Sequence, residues 1–284
     1  MKPEQVSLAP GLYLVATPIG NARDITLRAL DILASADVIA AEDTRTARKL
    51  LDIHGVAVGG RPLISYHDHS GPNGRAGIVK LLGQGKSVAY VSEAGTPLIA
   101  DPGYALAREV AGAGHLVTSA PGASAVPAAL SLSGLPTDRY LFAGFAPSAS
   151  GARRTWLADL IRVPATLVMF ESPKRVREML GDLCEVAGEE RQVAVCRELT
   201  KKFEETIRGT LGEVRDLLTE RTLKGEIVIV LDRGHDEVAE ETMEAALRRA
   251  MSEMTLKDAA ATVAEAYGLP RRKVYQAALE LEKD

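Results

Sequence analysis

The chain has 284 residues, 46% of them hydrophobic and 25% charged, with a formal net charge of −4. That length exceeds one small domain and predicts two, with room for an appendage. The acidic balance argues against a nucleic-acid surface spread over the whole chain, since phosphate contacts need cations, but it leaves room for a local basic one.

Aromatic residues are only 4% of the chain, so aliphatic side chains must build the core and platforms for stacking bases are scarce. The two cysteines, Cys184 and Cys196, show no metal-ligand spacing and sit among apolar neighbours, as small core residues of a reducing cytoplasm do. There is no run of eighteen apolar residues to span a membrane. The opening MKPEQVSLAPGLYLV lacks a signal peptide's long apolar stretch and cleavage site, so the expected location is the cytoplasm.

In chain order, Leu12–Ala16 reads as a buried strand entering the loop Thr17-Pro18-Ile19-Gly20-Asn21. Thr26–Ala36 has helical periodicity, and Asp37–Ala41 is a second buried strand running into Glu42-Asp43-Thr44-Arg45. A helix over Arg45–Ile53 stops at Gly55. The pattern repeats with a strand at Pro62–Ser65, the loop Tyr66-His67-Asp68-His69, and a helix at Gly74–Gln84. Next come a strand at Ser87–Val91, the loop Ser92–Pro102, a helix at Tyr104–Ala113 and a strand at Leu116–Ser119. Strands and helices alternating at these lengths predict a mostly parallel sheet covered on both faces.

A second α/β unit begins near Ala123, with helices at Ser124–Leu132, Arg175–Val186 and Leu211–Glu220. Its predicted strands are Tyr140–Ala143, Thr166–Phe170, Gln192–Arg197 and Glu226–Leu231. After a linker at Arg233–Asp236, helices are expected at Glu240–Met251, Lys257–Tyr267 and Arg272–Leu281. The turn Gly268-Leu269-Pro270 before the last makes the tail resemble a helix-turn-helix. The predicted divisions are 11–122, 123–236 and 237–284.

Ligands of parallel α/β sheets bind outside the carboxyl ends of the strands, so the loops Thr17–Asn21, Glu42–Arg45, Tyr66–His69 and Ser92–Gly103 should gather at one edge. The loop SEAGTP with Asp101-Pro102-Gly103 is the densest signal: Gly95 permits close backbone approach, and two prolines stiffen it. It is neither a phosphate-binding Gly-Lys-Ser/Thr loop nor a clean dinucleotide fingerprint, and turn punctuation alone is the competing reading. Asp43 reads equally as a helix cap and as a functional acid. His67 and His69 suit a polar loop or a substrate contact better than a metal, and no metal site is expected. The basic groups Arg153-Arg154, Lys174-Arg175 with Arg177, Lys201-Lys202 and Arg271-Arg272-Lys273 are each ordinarily solvated faces; two lie next to strand ends of the second unit, within reach of a polyanion.

Taken in order, LYLVATPIGNARDITLRAL (Leu12–Leu30), AAEDTR (Ala40–Arg45), SYHDH (Ser65–His69) and VSEAGTPLIADPG (Val91–Gly103) form one pattern with PGASAVPAALSLSGLPTDRYLFAGF (Pro121–Phe145), FESPKR (Phe170–Arg175), RELTKKFEE (Arg197–Glu205) and GEIVIV (Gly225–Val230). The pattern resembles the tetrapyrrole-methylase superfamily, and within it the family that methylates the 2′-hydroxyl of a cytidine in small-subunit ribosomal RNA. Glu93 stands where many relatives carry Asp. The tail looks like that branch's C-terminal helical domain, although residues 237–284 hold ten acidic and seven basic residues. The resemblance implies two α/β domains with S-adenosylmethionine between them, largely backbone contacts, and a homodimer. Carried over by motif, Pro18, Gly95, Thr96, Ile99, Ser124, Ala125, Phe170 and Leu199 would bind the cofactor. The implied partner is small-subunit ribosomal RNA or the assembled particle. A tetrapyrrole or other small-substrate methyltransferase of this fold, and a non-enzymatic nucleic-acid binder, are the alternatives.

Methyl transfer from a sulfonium needs positioned reactants rather than a metal, and a ribose hydroxyl gains from a general base. The expected source of that chemistry is Glu42 and Asp43, with Arg45 holding a phosphate or steering the acid. His67, Lys201 and Arg175 are the expected substrate contacts.

Overall fold

β1 (Gly11–Val15), β2 (Val38–Ala41) and β4 (Ser87–Val91) are buried at almost every position, as strands covered on both faces must be. In the computed structural model, which describes residues 3–67, 70–233 and 237–282, they join β3 (Leu63–Ser65) and β5 (Leu116–Ala120) in one parallel sheet. Its order is β3-β2-β4-β1-β5. α1 (Leu27–Ser35) and α2 (Thr44–Ile53) pack Leu30, Leu33, Ala47 and Leu51 onto one face with Val15 and Ile39. α3 (Gly71–Gly83) and α4 (Tyr104–Gly112) pack Ile78, Leu82, Leu106 and Val110 onto the other with Leu12, Val88 and Tyr90. α3 starts three residues before the predicted Gly74. Pro72 falls in its first turn, where a missing N–H costs no helical bond.

The second sheet contains β6 (Tyr140–Phe145), β7 (Thr166–Glu171), β8 (Gln192–Arg197), β9 (Glu205–Thr210) and β10 (Ile227–Leu231). Its order is β6-β7-β10-β8-β9; β6 and β7 are parallel and the other pairs antiparallel. The two-residue period of β10 explains its burial on both sides. Ile227, Ile229 and Leu231 face the cluster under α7 (Val176–Ala187) and α8 (Leu211–Thr219), while Val228 and Val230 face α5 (Ala125–Ser133). Burying each such side chain contributes about 1.5–3 kcal/mol.

Two elements go beyond the sequence reading. β9 is an edge strand whose charged Glu205 and Arg208 obscure its alternation, and α6 (Ser150–Leu160) begins with small and basic residues. In α6, Arg153 is no part of a solvated basic face. Its side chain is 2% exposed, and its Nε donates to Asp182 Oδ2 on α7 at 2.5 Å, an acid that also accepts from Ser150.

The chain packs as two units divided after Arg233, and both sheets belong to the first. The second has α9 (Glu237–Glu253), α10 (Leu256–Tyr267) and α11 (Arg271–Leu281) around Leu247, Val263, Val274 and Ala278. Thr255 caps α10, and Gly268 ends it in a left-handed conformation (φ 63°) before Leu269-Pro270. Of the predicted linker, Gly234–Asp236 lie outside the described residues, as do Asp68 and His69. Among the described residues no helix is long and apolar enough to cross a membrane.

Candidate active site

All five strands of the first sheet are parallel, so the loops after them emerge along one edge. There the β1 loop and the β4 loop clasp each other: Thr17 N donates to Gly95 O at 2.9 Å and Gly95 N to Thr17 O at 3.0 Å. Gly95 adopts φ 80°, and a methyl group added there would meet Ile19 Cγ2 at 3.3 Å. Further along, Leu98 and Ala100 hold positive φ (73° and 60°). Glu198 and Thr200, after β8, do the same (52° and 62°), and these four are the non-glycine cases among the described residues. Strain of this kind gathers at ligand-handling loops and persists where the surroundings enforce it. Here Tyr90 supplies one restraint, its hydroxyl donating to Pro102 O at 3.0 Å from the core. Burial, with Glu42 nearby, pushes the Tyr90 phenol well above its ordinary value, so it stays a donor.

Between this edge and the second sheet lies a cavity of about 390 Å³. Ile19, Gly95, Ile99, Ser124, Phe170 and Val228 are among its walls. Phe170 packs against Phe142 (ring centroids 4.8 Å apart) and against Phe145 (5.6 Å). Four carboxylates line it as well, Glu93, Asp101, Glu171 and Glu226, and among the described residues no Lys or Arg does. Glu171 ends a strand that is otherwise apolar after its first residue. Its side chain is 1% exposed and ion-paired to Arg175 at 3.3 Å, and its Oε2 has no hydrogen-bond partner. The first turn of α5 begins at the cavity wall with no side-chain cap from Ser124, which leaves backbone N–H groups for a ligand.

Of the expected cofactor contacts, Gly95, Ile99, Ser124, Ala125 and Phe170 line this cavity. Leu199 lies behind the wall, buried with Ala125 and Phe170. Thr96 braces the loop, its hydroxyl donating to Ala123 O at 3.0 Å. Pro18 lines a second pocket, of about 210 Å³, which shares Glu93 with the first.

The EDTR loop divides its tasks. Asp43 caps α2 through Arg45 N (2.7 Å) and pairs with the Arg45 side chain (2.8 Å). That guanidinium holds the Asp43 carboxyl below the usual carboxylate range. Glu42 turns instead to the β4 loop, where its Oε2 accepts from Glu93 N at 3.2 Å.

The expected substrate contacts lie apart. His67 is exposed beyond β3. Lys201 Nζ bridges Glu198 (2.8 Å) and Glu226 (3.0 Å). Arg175 donates to the carbonyls of Ala146 and Pro147 (2.8 and 2.9 Å) as well as pairing with Glu171. The Leu199–Lys201 turn is pressed against the β1 loop: Asn21 N donates to Thr200 Oγ1 at 3.0 Å, and a methyl group on Gly20 would lie 2.9 Å from Leu199 O. Glu171 is a wall residue that the sequence did not single out, although it stands within FESPKR. An acid closing a buried apolar strand was the signal for it. Phe145 and Glu226 carried no such signal, because only the folded sheet brings them to the cavity. Among the described residues no cluster of His, Cys, Asp and Glu is placed to hold a metal ion.

Residues 11–215 match the Tetrapyrrole (Corrin/Porphyrin) Methylases, and residues 236–282 match the RsmI C-terminal HTH domain. Two similar proteins are each named ribosomal RNA small subunit methyltransferase I. The one from Mesorhizobium japonicum is 46% identical, covering 97% of this chain and 93% of its own. The one from Vibrio cholerae is 44% identical, covering 96% and 95%. Solved structures share the fold at low identity. A cobalt precorrin-4 methyltransferase superposes with a TM-score of 0.58 at 17% identity, covering 78% of this chain and 94% of its own. A diphthine synthase superposes with 0.59 at 14%, covering 78% and 89%. The two sheets, the cleft at the strand ends and the near-full-length similarity place this chain in the tetrapyrrole methylase superfamily and, within it, in the family of ribosomal RNA small subunit methyltransferase I.

Proposed function

We propose that this protein transfers a methyl group from S-adenosylmethionine to the 2′-hydroxyl of a cytidine in small-subunit ribosomal RNA. The observation that carries the reading is the cavity at the strand ends. Its aliphatic and aromatic walls suit an adenosyl group, and its four lining carboxylates, of which Glu171 and Glu226 also hold Arg175 and Lys201 from outside the lining, suit a ligand bearing sulfonium and ammonium charges. The uncapped N–H groups of α5 suit the carboxylate of the same ligand. In this reading the lobes 11–122 and 123–236 enclose the cofactor and 237–284 is an accessory helical domain. The protein acts in the cytoplasm, as a homodimer.

When bound, the cofactor supplies an electrophilic methyl group already activated by its own charge. The protein supplies position and a proton acceptor. Glu42 is the favoured base: it lies against the backbone of Glu93, a residue shared by both pockets, whereas Asp43 is spent on Arg45 and the helix cap. Gly95, Thr96 and Leu199 shape the donor wall directly or from behind, and Pro18 lines the smaller pocket beside it. Arg175 and Lys201 act as positioning residues, the first holding Glu171 and the second holding Glu198 and Glu226. His67 remains a contact for RNA at the exposed rim.

The test is radiolabelled methyl transfer offered in parallel to naked ribosomal RNA, assembled small subunits and a porphyrin precursor. Label on a cytidine ribose in either RNA sample is expected. Label on the porphyrin precursor alone overturns the reading. Light scattering in solution measures the dimer.

A further inference from the structure

The smaller pocket beside the donor cavity is built like a polar subsite. The β1 loop, α2 and the β4 loop enclose its 210 Å³. That is less than a whole drug-sized ligand needs, so it suits one fragment of a larger molecule. Thr17 and Ser92 line it, 2% and 4% exposed; the Ser92 hydroxyl bonds the Tyr90 phenol, while that of Thr17 lacks a hydrogen-bond partner. A buried hydroxyl left unsatisfied at the wall of a small pocket is costly unless something polar reaches it.

A second observation concerns charge. Arg48 and Lys49 stand exposed on α2, and neither has an ion pair among the described residues. Lys49 lines both this pocket and the shallow depression beside it, which also holds Arg45, Arg48 and Asp52. Asp52, one turn on, pairs with neither cation. By contrast, many of the basic side chains that the sequence marks as candidate polyanion contacts are already engaged. Arg153, Arg154, Arg175 and Lys201 are ion-paired, and Arg177 donates to the Leu218 and Arg221 carbonyls.

We infer that this pocket and the adjoining face of α2 form the acceptor subsite, with a backbone phosphate of the RNA on Arg48 and Lys49 and the sugar of the target nucleotide at the Thr17 wall of the pocket. The inference rests on the methyl-transfer reading above. It explains why Glu93 lines both spaces: donor and acceptor then meet at the Glu42–Glu93 junction. Polynucleotide, rather than a small anion, is the ligand, because the cations extend along the helix surface beyond the pocket.

The experiment measures binding of a small-subunit RNA fragment, by anisotropy over a range of salt, for the full chain and the variant Arg48→Gln/Lys49→Gln. Cofactor affinity is measured alongside by calorimetry. The double variant should bind RNA about tenfold or more weaker at moderate salt, and the slope of log K against log salt should fall by roughly one to two. Cofactor affinity should not change. Lys80→Gln, which removes a cation from α3, should leave RNA affinity near wild type. Thr17→Val removes an unsatisfied hydroxyl and should keep or raise Tm, yet it should raise KM for RNA several-fold. RNA affinity and salt slope unchanged in the double variant overturn the inference, as does an equal loss in Lys80→Gln. If the wild-type protein methylates no RNA at all, the underlying reading has failed and the inference with it.

Discussion

The carboxylate of Glu42 accepts a hydrogen bond from the backbone amide of Glu93 at 3.2 Å, tying the end of β2 to the loop after β4. Asp43, its neighbour, is held instead by Arg45. Adjacent acids at one strand end therefore have different environments and different expected roles.

Glu42→Gln should lower kcat by about 10²–10⁴-fold, the usual range for losing a general base, with cofactor affinity near wild type. Asp43→Asn should leave kcat within about tenfold of wild type and lower the urea midpoint only slightly, because asparagine keeps the cap and only an exposed ion pair is lost. Single-turnover methylation and urea denaturation measure the two effects. Equal loss of turnover in both variants would remove the distinction drawn between them.

At Gly95 the backbone is left-handed (φ 80°) and clasped to Thr17, with Ile19 close by. Gly95→Ala should cost about 1–2 kcal/mol from conformation alone. It should also shift the loop that forms the cavity wall and weaken cofactor binding, as read by calorimetry. Wild-type cofactor affinity in this variant would count against a close backbone approach at this residue.

The buried Arg153–Asp182 pair joins α6 to α7. Asp182→Ala leaves the buried guanidinium with only the longer contacts to Glu178 (3.6 Å) and Ser148 O (3.5 Å) and should destabilise the protein by about 3 kcal/mol. The site lies in the second sheet's outer layer, so methyl transfer at low temperature should persist. A thermal unfolding curve matching wild type would show that the arginine finds water instead.

Asp37 accepts from both Ser87 N and Ser87 Oγ at 2.8 Å, and these bonds hold its carboxyl below the usual value. A depressed folded-state value stabilises the fold above the unfolded value near 3.8, and the contribution fades as pH falls toward the lower folded one. The gap in urea midpoint between wild type and Asp37→Asn should therefore be widest near neutral pH and narrow at about pH 3. A gap independent of pH would mean that the asparagine keeps the same bonds.

Much of the architecture was legible in local patterns. Apolar runs such as Ser87–Val91, the alternation from Ile227 to Leu231, and stops such as Gly55 and Gly268 are properties of short segments, and short segments decide where strands and helices lie. The loops that would carry chemistry followed from the same reasoning, because parallel strands put their carboxyl ends on one edge. Side-chain partners are another matter, since a charge has no visible partner until the chain folds. Arg153 reads as surface until Asp182 is beside it, Lys201 reads as a phosphate contact until Glu198 and Glu226 claim it, and Arg48 and Lys49 look like ordinary helix residues until the others are engaged. The second sheet's contribution to the cavity, with Phe145, Glu171 and Glu226, depends on contacts between residues far apart in sequence. Sequence alone thus determined the elements, the sheet edge and the family resemblance. Tertiary structure decided which charges are spent on the fold and which stay free, because electrostatic pairing depends on distance in space and not along the chain.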